Sequence, residues 1–220
     1  MQTPQDHHAG IAGVTLIAAT LLSVLAMAHH PTLTAPDITQ ALQQLKDLAN
    51  LSAWVHGILI ALMLLIYWCL TEYSLRRGVG KPLVRAGLIF YGAGVVAMIG
   101  AAVVSGWLTA RIGNLLPNPG DQDLHLLAIL INFSGAMNRV LANLGAVAMS
   151  AGILAWSIGL LHDQGWTRAV GLIGVLAGAA PALLLITGGM HLDVHGMLLV
   201  VLVQGVWNIA VGILLIQRRI

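Results

Sequence analysis

Long apolar stretches are the feature of this sequence that most restricts its fold. Six of them have lengths within or above the range of about 17–25 residues with which an α-helix crosses a bilayer. They cover residues 11–28, 51–70, 86–110, 133–161, 169–188 and 196–217. Charged residues make up only 8% of the 220 residues, whereas a typical soluble domain carries about 25%. The sequence therefore predicts an all-α, polytopic integral membrane protein, in which residues 1–220 form a single domain of about six transmembrane helices within the lipid bilayer.

The loops between the spans predict the orientation. Seven basic residues fall on one side of a six-span zigzag, whereas only Lys46 and Arg111 fall in the loops of the other side. The seven are Arg76, Arg77, Lys81, Arg85, Arg168, Arg218 and Arg219. Cytoplasmic loops are enriched in Lys and Arg, so both termini are predicted to be cytoplasmic. We expect the membrane to be a bacterial cytoplasmic membrane.

The first span also has one feature of a cleaved signal peptide. Ala26-Met27-Ala28 is an A-x-A cleavage pattern that follows an apolar region of suitable length. However, residues 1–10 contain no Lys or Arg, which the start of a signal peptide normally carries. We therefore expect this span to be retained.

The first outer loop, residues 29–50, contains a second kind of helix signal. Thr34-Ala-Pro-Asp is a helix-start pattern, and apolar residues then recur with helical spacing at Ile38, Leu42, Leu45 and Ala49. This periodicity predicts a short amphipathic helix that lies on the outer leaflet.

Two function classes are excluded by the charge and cysteine content. The net charge of +2 is explained by the topology signals, so nucleic acid is not an expected partner. Cys69 is the single cysteine, which excludes intrachain disulfides and thiolate metal clusters.

Histidines are concentrated on the predicted outer side. Six of the nine histidines map there: His29, His30, His56, His125, His191 and His195. They belong to four different helix ends, so the bundle is expected to bring several imidazoles to one level.

A histidine-based metal site is the main functional prediction. His191 and His195 have the spacing that places two imidazoles on one face of a helix. His56 lies inside an apolar span, where a polar side chain is costly and is functional by default. We predict that these three bind one transition metal ion, with His29 and His30 as further candidate ligands. Nearby methionines, Met27, Met190 and Met197, favour copper over zinc.

A polar stripe in the fourth span is the second candidate site. His125, Asn132, Arg139 and Asn143 are spaced so that they share one helix face. The charge of Arg139 needs backbone carbonyls, water, lipid phosphate or a bound anion. The stripe is therefore a candidate for binding a cofactor through a haem propionate, or an acidic substrate, or for reaching the headgroups. In span six, Gln204 and Asn208 are expected to make interhelical hydrogen bonds.

Two short motifs give a family resemblance. Ser52-xxx-His56 together with His191-xxx-His195 resembles the serine and histidines of the intramembrane zinc hydrolases typified by alkaline ceramidases. The resemblance implies a zinc ion held by His56, His191 and His195. The sequence departs from that family by offering six spans rather than seven and no intramembrane aspartate after His56.

Four functions are therefore open at the level of the sequence. The leading hypothesis is a copper or zinc site at the non-cytoplasmic end, for metal handling or redox chemistry. The alternatives are a haem protein with outer histidines as axial ligands, a metal-dependent hydrolase, and an accessory subunit without a metal centre. The accessory subunit would associate with another membrane protein or with copies of itself.

Overall fold

The protein is all-helical, and its helices follow the predicted spans. The computed structural model describes residues 4–31, 35, 37–116 and 119–220, with no strand among them. Six helices in these ranges are long and apolar enough to span a membrane, which confirms the predicted number. They are α1 (Pro4–Ala28), α2 (Ile38–Arg77), α3 (Pro82–Gly113), α4 (Asp121–Leu160), α5 (Gly165–Ile186) and α6 (Val194–Ile216).

The six helices form a closed ring. Each helix packs against its neighbours in the chain, and α1 packs against α6 to close the circle. Glycines permit this packing where two backbones meet. A Cβ added at Gly94 of α3 would lie 2.8 Å from the carbonyl oxygen of Gly145 on α4. In α5, Gly174 and Gly178 face α4 in the same way, against Ser157 and the carbonyl of Ser150.

The amphipathic segment after Asp37 is not a separate surface helix, so that prediction is wrong. Thr34 lies outside the described residues, but Asp37 caps the segment by accepting a 2.9 Å hydrogen bond from the backbone N–H of Gln40. The helix then runs without interruption into the second span because no glycine or proline occurs between Asp37 and Gly57. Its apolar face packs on protein instead of lipid, and Leu42 is buried with Ile112 and Leu127.

The unequal helix lengths create an extension at one end of the ring. The 22 residues of α5 and the 23 of α6 correspond to about 33–35 Å, close to the thickness of the hydrocarbon core. The 40 residues of α2 and of α4 correspond to about 60 Å. The surplus length of these helices, together with the last turns of α3, forms a three-helix extension beyond the short helices.

The opposite end carries the seven basic residues named above, and we call it the basic end. There, Arg77 of α2 pairs with Asp163 at 2.7 Å across the α4–α5 turn. Just inside this end lies an aromatic cluster of Tyr73, Tyr91, Trp156 and Trp207, each no more than 1% exposed. Their ring centroids are 5.5–6.3 Å apart. This cluster fills the centre of the ring in its basic half.

Candidate metal centre

The other half of the ring encloses a cavity of about 540 Å³. Side chains from α1, α2, α3, α4 and α6 line it, and most of them are apolar. His30, His56, Asp193 and His195 lie at the mouth of the cavity. We call this end of the ring the histidine end. The cavity thus gathers three of the histidines that the sequence placed at one level.

His30 and His56 face each other directly at the mouth. Their Nε2 atoms are 3.1 Å apart, and their rings meet edge to face with centroids separated by 4.8 Å. His30 follows the last turn of α1, and His56 lies midway along α2. His56 is only 5% exposed. The close approach therefore joins two elements that are separated by 26 residues of sequence.

The hydrogen bonds of the two rings favour one tautomer for each. Nδ1 of His56 lies 2.8 Å from the carbonyl oxygen of Ser52, and Nδ1 of His30 lies 2.9 Å from that of Pro31. Because a carbonyl oxygen only accepts, each Nδ1 carries the proton and donates it. In the neutral rings, both Nε2 atoms then present a bare lone pair to each other.

Two facing lone pairs need a positive species between them. One candidate is a proton shared by the two rings, and the other is a metal ion bound by both nitrogens. Burial lowers the pKa of His30 below its usual value, and the proximity of His56 lowers it further. Two nitrogens that bind one ion tetrahedrally, with bonds of about 2.0–2.1 Å, are about 3.3 Å apart. The observed separation is close to that value.

A π-helical turn in α3 holds His56 in place. The turn covers Val104–Leu108, and Gly106 within it lies against the imidazole. A Cβ added at Gly106 would lie 2.7 Å from Cβ and 2.9 Å from Cγ of His56. π-turns inside α-helices are frequent at functional sites. The π-turn was not predicted from the sequence, and no residue pattern in 104–108 indicates it.

Methionines supply sulfur atoms along the same cavity. Five of them line it: Met27, Met63, Met98, Met149 and Met197. Met27 precedes His30 by less than one helical turn and Met197 follows His195 by two residues, so these two belong to the mouth. Thioethers are soft ligands that suit copper(I).

The structure does not bring His191 together with the other candidate ligands. Helix α6 begins at Val194, because Asp193 caps it by accepting a 2.7 Å hydrogen bond from the Gly196 N–H. His191 therefore precedes the helix and does not share a helical face with His195, contrary to the expectation from their spacing. Both histidines are exposed, but only His195 lines the cavity. Among the described residues, no group of three His, Cys, Asp or Glu side chains is placed to hold a metal ion.

His29 points away from the histidine pair. It is exposed, and its Nδ1 lies 2.9 Å from the carbonyl oxygen of Leu25 in the last turn of α1. Of the two adjacent histidines, only His30 therefore contributes to the mouth of the cavity.

The polar stripe of α4 lies on the outer surface of the ring. His125, Asn132, Arg139 and Asn143 are all exposed, as expected for residues that share a face. That face is turned by about 100° from the one on which Ala142 and Met149 line the cavity. Arg139 is about 32 Å along the helix from its end at Leu160, which equals one hydrocarbon thickness. Its charge can thus reach the headgroups at the histidine end.

The separation of the His30 and His56 nitrogens decides whether this pair could bind a haem iron. Axial ligands lie on opposite sides of the haem plane, and two metal–nitrogen bonds of about 2 Å would separate their nitrogens by about 4 Å. His30 and His56 are closer than that, and their facing edges leave no gap for a porphyrin. This pair does not fit as the two axial ligands of one haem.

The residues of the family resemblance are only partly assembled. Ser52 does lie beside His56, with Oγ 3.3 Å from Nδ1. His191 is absent from the cavity lining, and Asp193 is the one carboxylate among the described residues that line it. The three-histidine zinc set implied by the resemblance is not formed.

In comparisons with known proteins, no family model matches the chain, and no curated protein or solved structure gives a significant match.

Proposed function

We propose that this integral membrane protein binds a transition metal ion, copper(I), through Nε2 of His30 and Nε2 of His56. The observation that carries the proposal is the 3.1 Å separation of two imidazole nitrogens whose Nδ1 atoms are both committed to backbone carbonyls. The protein would serve metal handling or a redox step at the histidine end of the bundle.

The ligand set favours copper(I) over zinc. A zinc ion is usually held by three or four protein ligands drawn from His, Cys and carboxylates, and here two imidazoles meet. Met27 and Met197 line the same mouth, and a thioether completes a copper(I) site more readily than a zinc site. His195 is the third histidine among the described residues that line the cavity.

Copper(I) titration of the purified protein in lipid nanodiscs, against a chromophoric copper(I) chelator under anaerobic conditions, tests the proposal. We expect one tightly bound copper(I) per chain. His30→Leu and His56→Leu should each weaken binding by more than about 100-fold, since loss of even a supporting residue of a metal site costs 10–100-fold. The double variant should lose little more than either single variant, because one nitrogen alone does not form the site.

His29→Leu is the matched control, because it removes the neighbouring imidazole that bonds to Leu25. Its copper affinity should equal that of the wild type. Equal losses from His29→Leu and His30→Leu, or no copper binding by the wild type, would contradict the proposal. Tighter binding of zinc than of copper(I) would reject the choice of metal.

We further propose that the histidine end faces the non-cytoplasmic side of a bacterial cytoplasmic membrane. The support is the charge distribution: seven basic residues lie at the basic end, and Lys46 and Arg111 lie in the extension. Metal would then reach His30 and His56 from outside the cell.

Cysteine labelling measures this orientation. In a Cys69→Ala background, Gln122→Cys places a thiol in the extension, and Gly80→Cys places one at the basic end. A membrane-impermeant maleimide added to intact spheroplasts should label Gln122→Cys and leave Gly80→Cys unlabelled until the membrane is opened. The reverse pattern would invert the orientation, and labelling of both from outside would reject the six-span topology.

A further inference from the structure

A second polar cluster lies at the inner end of the cavity, away from the histidines. Thr20, Tyr91, Gln204 and Asn208 line the cavity there, and each is no more than 5% exposed. His195 and Asn208 are about 20 Å apart along α6. We call this cluster the polar floor, and it rests on the aromatic cluster through Tyr91.

The floor has hydrogen-bonding capacity that the protein does not use. Gln204 donates to Oγ of Ser150 at 3.0 Å, which confirms the interhelical hydrogen bond predicted for it. Tyr91 interacts with the side chain of Asn208. In contrast, Oδ1 of Asn208 and Oγ1 of Thr20 have no partner among the described residues. Buried polar atoms without partners destabilise a fold, and a ligand in the cavity that these two residues line would supply the missing partners.

The chemistry of the floor restricts what that group is. Asn208 Oδ1 only accepts a hydrogen bond, whereas the Thr20 hydroxyl both donates and accepts. A hydroxyl has the chemistry that both atoms need, because it can donate to Asn208 Oδ1 and either donate to or accept from Thr20 Oγ1. No formally charged side chain belongs to the floor, and Asp193 is at the opposite end among the described lining residues. The complementary group is therefore neutral.

The cavity walls above the polar floor restrict what the rest of the ligand can be. Leu59, Ile66 and Val201 lie between the two ends, together with the flexible side chains of Met98 and Met149. A cavity of about 540 Å³ falls within the range of about 300–1,000 Å³ that small-molecule sites occupy. Apolar walls of this length exclude a strongly hydrated ligand.

We propose that the cavity binds a neutral, largely apolar alcohol or phenol, whose hydroxyl donates to Asn208 Oδ1 and hydrogen bonds with Thr20 Oγ1. The ligand lies with its apolar body between the floor and the mouth. This site uses none of the atoms assigned to copper, so the two functions are separable.

Equilibrium dialysis with 2-naphthol tests the proposal. Wild-type protein in nanodiscs is compared with empty nanodiscs of the same lipid, so that partition into lipid is subtracted. We expect a saturable component of about one 2-naphthol per chain. 2-Methoxynaphthalene, which has the same apolar body but donates no hydrogen bond, should bind at least about 10-fold more weakly.

Variants of the polar floor test whether Thr20 and Asn208 bind the hydroxyl group or the ligand merely occupies an apolar cavity. Thr20→Val, which has nearly the shape of threonine, and Asn208→Leu should each weaken 2-naphthol binding by about 10-fold or more. Thr20→Ser keeps the hydroxyl and should retain binding, which shows that a loss in Thr20→Val is not misfolding. Asn143→Leu on the outer face of α4 is the control for Asn208→Leu and should bind as the wild type does. His56→Leu should lose copper but keep 2-naphthol.

Three results would overturn the proposal. Absence of saturable 2-naphthol binding would mean that the polar floor contacts only water. Equal binding of 2-naphthol and its methyl ether would mean that the hydroxyl is not recognised. Unchanged affinity in Thr20→Val and Asn208→Leu would place the ligand elsewhere.

Discussion

Gly106→Ala should weaken copper(I) binding at His30 and His56 by about 10-fold or more. The added methyl group would lie 2.7 Å from Cβ of His56, so the imidazole or the π-turn has to move. A displacement of the ring changes the separation of the two Nε2 atoms, on which a shared metal ion depends. Affinity is measured with the same chelator competition in nanodiscs.

Gly57→Ala is the matched control for this variant. Its added methyl group would meet the indole of Trp107 at 3.8 Å, an ordinary van der Waals contact. Both changes replace a helical glycine by alanine and gain the same helix propensity, about 1 kcal/mol. Wild-type affinity in Gly106→Ala, or equal losses in both variants, would show that Gly106 does not position His56.

Gly152→Ala should lower the thermal stability of the bundle markedly. A Cβ at this position would lie 2.9 Å from the carbonyl oxygen of Gly87 and 2.8 Å from Cβ of Tyr91. Because the obstacle is the backbone of α3, the two helices must separate. Overpacking of this kind costs about 1–3 kcal/mol, which corresponds to about 2–12 °C in a chain of this size. Thermal unfolding in nanodiscs, followed by circular dichroism, measures the shift.

Gly159→Ala in the same helix is the comparison. The nearest side-chain atom to its added Cβ is Cβ of Leu83 at 4.0 Å, so the change brings no clash. Its melting temperature should be unchanged or slightly higher, because alanine favours the helix. A Gly152→Ala protein as stable as Gly159→Ala would contradict the close α3–α4 contact.

The six helices could be predicted from the sequence because length and hydropathy alone define them. The extension could not. An apolar stripe such as Leu42 and Leu45 has the same spacing whether it faces lipid or other helices, and only tertiary contacts with Ile112 and Leu127 decide between the two. Continuity through Asn50 was the usable signal, since no helix-breaking residue separates the segment from the span.

The candidate site was predicted in part. His56 and His30 were among the predicted metal-binding residues, but their pairing depends on how the chain leaves α1, which no local pattern encodes. The position of His191 outside the helix could have been predicted. Asp193 precedes Gly196 by three residues, which is the spacing between an N-cap residue and the N–H group from which its side chain accepts a hydrogen bond. That cap starts α6 at Val194 and leaves His191 outside the helix.

The aromatic cluster has a consequence for transport. Trp156 and Trp207 stack with centroids 5.9 Å apart, and neither they nor Tyr73 and Tyr91 are more than 1% exposed. A metal ion or a hydrated proton cannot pass such a packed layer of rings. The space inside the ring is therefore closed toward the basic end. A copper ion bound at the proposed site would therefore have no path through the centre of the ring to the basic end.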